Sequence, residues 1–303
     1  MADEIVYSGS DLKVAAVIEQ GIITKLSELL VLRGSPAIVD FSPMANRGSL
    51  TLSIPLAGWD ADSMTAPGEN TAVANTALDT DVVTLTLARQ AMQRTITDEL
   101  VLSSPAALVD MIVMSIVSGY ANRFNGMLTA LFSGVTASAG TSGADLTLDD
   151  IMDATQTLMR ANNTDGLYCM LHGQQMSDLQ NSLRGEGGAL SFSAPTAEMI
   201  AAKGKGYAGS YLGVDFWINP KVATANTGAD RAGCMWSRGA FGFAEAPNPR
   251  ANVLGSPDNR LVSPISIEFS RDASKGATTT IGNAFLGFAM IEDARAVKIV
   301  TDA

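Results

Sequence analysis

Histidine is the scarcest functional residue in this chain: His172 is the only one among 303 residues. Its isolation excludes multi-histidine metal sites and most schemes in which an imidazole activates a serine or cysteine. Cysteine is nearly as rare, with Cys169 and Cys234 far apart and matching no zinc or disulfide-framework spacing, so free thiols are expected. Charge is also thin, 17% against 47% apolar residues, which leaves little of the densely charged surface that keeps small monomers apart. The net charge is −11 and no basic run exists to displace counterions from phosphate, which argues against nucleic-acid recognition. No stretch approaches eighteen uninterrupted apolar residues, so no membrane span is expected. The opening MADEIVYSGSDLK has neither a basic nor an apolar leader region, so the chain reads as made and kept in the cytosol.

The remaining chemical motifs dissolve on inspection. Cys169 precedes His172 by three residues, a spacing that puts the two side chains on opposite faces of an extended strand. Gly204, Gly206 and Gly209 fit G-x-G-x-x-G, yet they precede the strand-like YLGVDFW instead of opening a helix, so they read as loop glycines. The sugar sequon at Asn162, Asn163 and Thr164 has meaning only in a secreted protein. Asp60, Asp62, Glu69, Asp79 and Asp81 read as a solvated acidic loop, and Asp149, Asp150 and Asp153 as favourable charges in the first turns of a helix. No catalytic, cofactor-binding or metal-ligating residue emerges, and the protein is expected to be no enzyme.

What the chain does have is a long apolar helix, Ser104 to Ser133, opened by Ser103, Ser104 and Pro105. It would run about 45 Å at 1.5 Å per residue. Leu108, Ile112, Ile116, Tyr120, Phe124, Leu128 and Phe132 form an i, i+4 ridge that drifts roughly 40° per step. Such a rod is covered by different neighbours at its two ends, as a beam joining two subdomains would be. Before it, LTLSIPL at 50 to 56 and VTLTL at 83 to 87 alternate as two half-buried strands. The long segment between them carries its tip away from the body. A lone two-stranded hairpin is marginal in water, so this one, with no visible core of its own, should need a partner surface. Together these features describe a subunit that finishes burying itself against copies of itself.

Around this pair the pattern gives helices at Asp11 to Arg33, Leu146 to Arg160 with Thr147 as cap, and Gln174 to Leu183. It gives strands at 167 to 171, 211 to 218, 232 to 236, 261 to 269, 278 to 291 and 295 to 300, and a glycine-rich loop from Arg184 to Gly209. The sum is an α+β fold, mainly antiparallel, large enough for one big or two ordinary domains.

The order of these parts resembles the major capsid protein of tailed bacteriophages, the Hong Kong 97-like fold, over nearly the whole chain. Residues 1–47 resemble its N-terminal arm and 48–92 its extended E-loop. QRTITDELVLSSPAALVDMIVMSIVSGYANRFNGMLTALFSG lies within 93–146, which resembles the P domain with its spine helix. Residues 147–246, with GSYLGVDFWINPKV and GCMWSRGAFGFAEA, resemble the A domain, and 247–303, closing on IGNAFLGFAMIEDARAVKIV, the C-terminal strands of the P domain. The resemblance implies a structural protein that assembles as hexamers and pentamers into an icosahedral head, built in the host bacterial cytoplasm and present in the virion. It implies a portal protein at one vertex, decoration proteins in some members, enclosed double-stranded DNA that is not read by sequence, and no cofactor. Asp60, Asp62 and Glu69 at the E-loop tip would then contact a neighbouring subunit, and Leu108, Ile112, Ile116, Tyr120 and Phe124 would form the core side of the spine helix.

Two departures bear on this. Only 47 residues precede the hairpin, too few for the internal scaffolding region that the founding member carries there, so a separate scaffolding protein is expected. Some members weld neighbours through an E-loop lysine, whereas residues 48–92 contain none. A cargo-loading nanocompartment of the same fold is one alternative, and a soluble enzyme with an unfamiliar site is another.

Overall fold

The computed structural model describes residues 32, 35–45, 49–57, 69, 80–103, 108–161, 163, 165–185, 194–204, 206–246 and 265–302. The helix expected at Asp11 to Arg33 lies outside them, apart from the buried Leu32. In chain order the described elements begin with β1 (Val39–Asp40), β2 (Thr51–Ala57), β3 (Thr80–Thr86) and β4 (Ala88–Thr97). Helices α1 (Asp98–Ser103) and α2 (Leu108–Leu131) lead to β5 (Ser138–Ala139), α3 (Leu148–Arg160), β6 (Leu167–Leu171), α4 (Gly173–Gly185) and α5 (Ala197–Lys203). Strands β7 (Tyr207–Tyr211), β8 (Val214–Ile218), β9 (Thr224–Ala225), β10 (Asp230–Ser237) and β11 (Phe241–Ala246) follow. The chain closes with β12 (Ser266–Asp272), β13 (Ala277–Met290) and β14 (Ala296–Asp302).

Two sheets carry the molecule. In the five-stranded one the long β13 is central, with β4 along one edge from Ala277 opposite Thr97 to Leu286 opposite Ala88. Its other edge takes β12 and then β11, and β1 joins β11 in parallel. The seven-stranded sheet runs β5-β14-β10-β6-β8-β7, with β9 also on β10. The closing strand β14 therefore pairs with β10, while β12 and β13 belong to the five-stranded sheet. The fold is α+β with mainly antiparallel pairing; β1–β11, β5–β14 and β6–β8 are the parallel exceptions.

Helix α2 joins the sheets. Its 24 described residues span about 36 Å, and it ends at Leu131, two residues before the expected Ser133, because the chain tightens into a 3-10 turn at Phe132–Gly134. The expected start at Ser104 lies outside the described residues. The ridge is as the spacing requires: Ile116, Tyr120, Phe124, Leu128 and Phe132 are buried, and Ile112 packs partly buried against them. Phe124 meets Phe243 and Phe288 of the five-stranded sheet edge-on, at 5.5 and 4.8 Å between ring centres. Two turns on, Phe132 lies 5.7 Å from Trp236 of the seven-stranded sheet and 5.6 Å from Phe241, where β11 begins. Different neighbours thus cover the two ends of the rod. Gly126 sits between these two contact regions, with open space where a Cβ would be.

Alternation along β13 divides its residues between two faces. On the helix face, Gly282 lets Ile116 come so close that a Cβ would lie 2.5 Å from Ile116 Cγ2. On the other face, Gly287 lies under the hairpin, where a Cβ would stand 2.4 Å from the Thr86 carbonyl oxygen. There Leu52, Ile54 and Leu85 of the hairpin cluster with Ala45, Leu87, Ala244 and Ile291. This corrects the expectation of a hairpin without a core: its root is packed on its own sheet. Strands β2 and β3 pair from Thr51 opposite Thr86 to Ala57 opposite Thr80. Leu87 N–H bonds Leu50 O, so alternation puts Pro55 at a non-hydrogen-bonded pair, where its missing N–H costs the ladder nothing.

In the second sheet, α3 and α4 cover one face, burying Ile151, Leu158, Met176 and Leu179 against Cys169, Phe216, Met235 and Ile299. Thr147 caps α3 in a capping box with Asp150, as its position in sequence implied. Two expectations are corrected here. The run 211–218 is no single strand, because Leu212 and Gly213 take positive φ (49° and 79°) and turn β7 into β8. The stretch from Arg184 to Gly209 holds α5, capped by Thr196, whose hydroxyl accepts from Met199 N–H, and ended by Gly204 at φ 90°.

Candidate assembly surfaces

The groups that would carry chemistry are used structurally. Cys169 and Cys234 are fully buried on opposite faces of the seven-stranded sheet, and burial pushes both thiols well above their ordinary range, which makes them inert. His172 follows β6 instead of lying in it, and its Nδ1 accepts from the N–H of Gln174 at 3.3 Å, capping α4. Burial, and then Arg231, lower its pKa, so the neutral acceptor form is favoured. Lys203 Nζ lies 2.6 Å from Asp215 and 3.3 Å from the Tyr207 hydroxyl. Burial opposes its charge, but those hydrogen bonds prevail and raise its pKa, the opposite of what a lysine nucleophile needs. Gly204, Gly206 and Gly209 end α5 and enter β7, so they bind no pyrophosphate at a helix start. Asn163 of the sequon is buried and donates to Ala294 O. Among the described residues no His, Cys, Asp or Glu group could hold a metal ion, and no helix is long and apolar enough to cross a membrane.

Of the expected contact residues, Asp60 and Asp62 lie outside the described residues and Glu69 is exposed in a turn. Leu108 begins α2, and Ile112, Ile116, Tyr120 and Phe124 line its core side. The Tyr120 hydroxyl donates to the buried Glu245 at 2.6 Å.

Charge is segregated along this part of the chain. Residues 48–88 contain five acids and no Lys, Arg or His, whereas 89–97 contain Arg89 and Arg94 and no acid. Arg89 and Arg94 lie on β4, whose outer edge pairs with no strand among the described residues. Their partners are neutral: Arg89 donates to Asn283 Oδ1 at 2.9 and 2.6 Å, and Arg94 to Ser115 Oγ at 3.0 Å. Arg123 of α2 likewise donates to Gln90 Oε1 at 3.0 Å. Between α2 and the strands β4 and β13 lies a cleft of about 320 Å³, lined by Met92, Ile116, Gly119 and Ala284, with Gln90 and Arg123 at its side. The sequence pattern marked the acids of this system; the basic edge was signalled only by the absence of any acid between Arg89 and Thr97.

No protein-family profile matches the chain, and no curated protein matches it. Solved structures do. The chain is similar to the capsid of Ralstonia phage GP4, with a TM-score of 0.65 and 11% identity over 88% of this chain and 87% of that one. The Cyanophage Pam1 capsid gives 0.62 and 14% over 89% and 90%. The holo-SrpI encapsulin complex from Synechococcus elongatus PCC 7942 gives 0.62 and 12% over 88% and 84%. At such identities the likeness is one of fold: this chain has the fold of tailed-phage major capsid proteins, in agreement with the resemblance of its sequence.

Proposed function

We propose that the protein is the major capsid protein of a tailed bacteriophage, a structural subunit without enzymatic activity that self-assembles into the icosahedral head around double-stranded DNA. The observation that carries this reading is the likeness in fold, over almost nine-tenths of the chain, to several phage capsids. The segregated charge of residues 48–97 supports it, since it suits contacts with copies of the same chain. On this reading the protein resides in the virion, is assembled in the host cytoplasm as hexamers and pentamers, and works with a separate scaffolding protein and a portal at one vertex. Decoration proteins would bind outside, and the acidic balance would keep the wall from gripping its DNA. Negative-stain microscopy of purified protein tests it: capsomers, tubes or shells built from many copies are expected, and a stable monomer at every concentration would refute it.

The similarity to an encapsulin supports one second reading, a cargo-loading nanocompartment. Shells that copurify with one encapsulated enzyme, and with no portal or packaged DNA, would favour it.

A further inference from the structure

One buried carboxylate in the helical layer of the seven-stranded sheet is only half paired. Asp178 of α4 is 9% exposed, and its Oδ1 accepts from Gln174 Nε2 at 3.3 Å, while its Oδ2 is buried and accepts no hydrogen bond among the described residues. A buried acceptor without a partner is costly, and more so when it is charged. Three elements close around it. The side-chain amide of Gln175 donates to Thr301 Oγ1 at 2.8 Å and to Arg231 O at 3.1 Å, which seats the first turn of α4 on the end of β14 and the start of β10. Asp302 N–H bonds Ala144 O at 3.0 Å, and Leu148 N–H bonds Ser182 Oγ at 3.2 Å, so the loop before α3 is held to both β14 and α4.

Each of those neighbours brings an acid, Asp145 from the loop and Asp302 from β14. The first turn of α3 adds Asp149 and Asp150, the latter held by Thr147. Arg231 and His172 stand at the same end of the sheet, yet the charge of Arg231 falls on His172, and the charges that act on Asp178 are both negative. Burial, and then Asp145, raise the pKa of Asp178; the Gln174 bond opposes them and Asp302 adds to them. We infer that Asp178, Asp145 and Asp302 form a proton-operated latch on α4. With a proton, Oδ2 changes from an orphaned acceptor into a donor among acceptors, and the first turns of α4 sit firmly on β14. Without it, negative charge from three elements meets at one place and pushes α4 away. Because the folded pKa lies above the unfolded 3.8, the contribution is whole below 3.8 and is lost as pH rises through the folded value. The latch belongs to the single subunit and does not depend on the shell reading.

Native-state hydrogen exchange of the full chain, corrected for the intrinsic rate at each pH, reads the latch at the amides of Met176 to Leu179. The comparison is with Asp178→Asn, which keeps the size and the acceptor for Gln174 but cannot ionise. The ratio of wild-type opening to that of the variant should grow roughly threefold or more between about pH 5 and pH 8. The opposing titration of His172 is common to both proteins and cancels in that ratio. Asp302→Asn, which removes one repelling charge, should give a profile between the two, and calcium chloride should change none of them. A ratio constant with pH overturns the inference. So does a calcium-dependent tightening of α4 near pH 8, which would make the occupant a metal cation instead of a proton. If Asp178→Asn fails to fold, Asp302→Asn decides alone: opening identical to wild type at every pH overturns the latch, and a weaker rise toward high pH supports it.

Discussion

His172 does its work as an acceptor. Its Nδ1 takes the N–H of Gln174, and an imidazolium would have no lone pair left there. Because its pKa is lowered in the folded state, its contribution is present above the unfolded value of 6.5 and is lost as pH falls through the folded one. Unfolding midpoints in denaturant are therefore expected to drop between neutral pH and mild acid. In His172→Asn, which keeps a capping acceptor without a proton to gain, that part of the drop should vanish; an identical pH profile in the variant would refute the assignment. Asp230 answers at a different pH. Its buried carboxylate accepts from Ser142 Oγ at 2.5 Å, from Asn226 Nδ2 and from Gly143 N–H at 3.0 Å, and these bonds hold its pKa below 3.8. Its contribution is complete above that value and fails only in strong acid. Asp230→Ala should speed hydrogen exchange at residues 140–143 at neutral pH, where the wild type is protected.

Among the elements, the hairpin and the long helix meet through one strand. A methyl group at residue 287 would press on the Thr86 carbonyl, which is backbone and cannot swing away. Gly287→Ala should therefore lift the hairpin root and expose β2 and β3 to hydrogen exchange while leaving α3 and α4 protected. On the opposite face, Ile116→Ala removes a side chain that is 2% exposed and should lower stability by roughly 2–5 kcal/mol in denaturant titration. These elements differ in how far the sequence disclosed them. The i, i+4 ridge of α2 was legible because seven apolar residues repeat at one spacing, and the cap of α3 because Thr147 stands at the start of its pattern, although its reciprocal bond with Asp150 was not read. The break at Leu212 and Gly213 was hidden inside an apolar run that reads as one strand. The covered hairpin root was hidden as well, since its cover comes from Ala244, Gly287 and Ile291, some two hundred residues away and mostly too small to announce themselves. For the contact surfaces, the acids stood out as a cluster, but the cleft depends on α2, β4 and β13 coming together, which no local pattern encodes.

At the scale of the whole molecule, the shell reading makes two further claims. With no lysine in residues 48–92, particles boiled in detergent should run as single chains, and a ladder of covalent oligomers would contradict this. With curvature set from outside, the chain expressed alone should give tubes or shells of mixed diameter. A uniform population would show instead that the subunit sets its own closure. Here the open space at Gly126 has a mechanical meaning. Helix-interior glycine costs about 1 kcal/mol relative to alanine, and no neighbour would be displaced by a methyl group at this position. It stands between Phe124, packed on Phe243 and Phe288 of the five-stranded sheet, and Phe132, packed on Phe241 of that sheet and on Trp236 of the seven-stranded one. A glycine there leaves the backbone freer than an alanine would, so the helix bends more readily between those two contacts. Gly126→Ala should raise the melting temperature of the subunit and, by stiffening that joint, narrow the range of radii its assemblies can adopt.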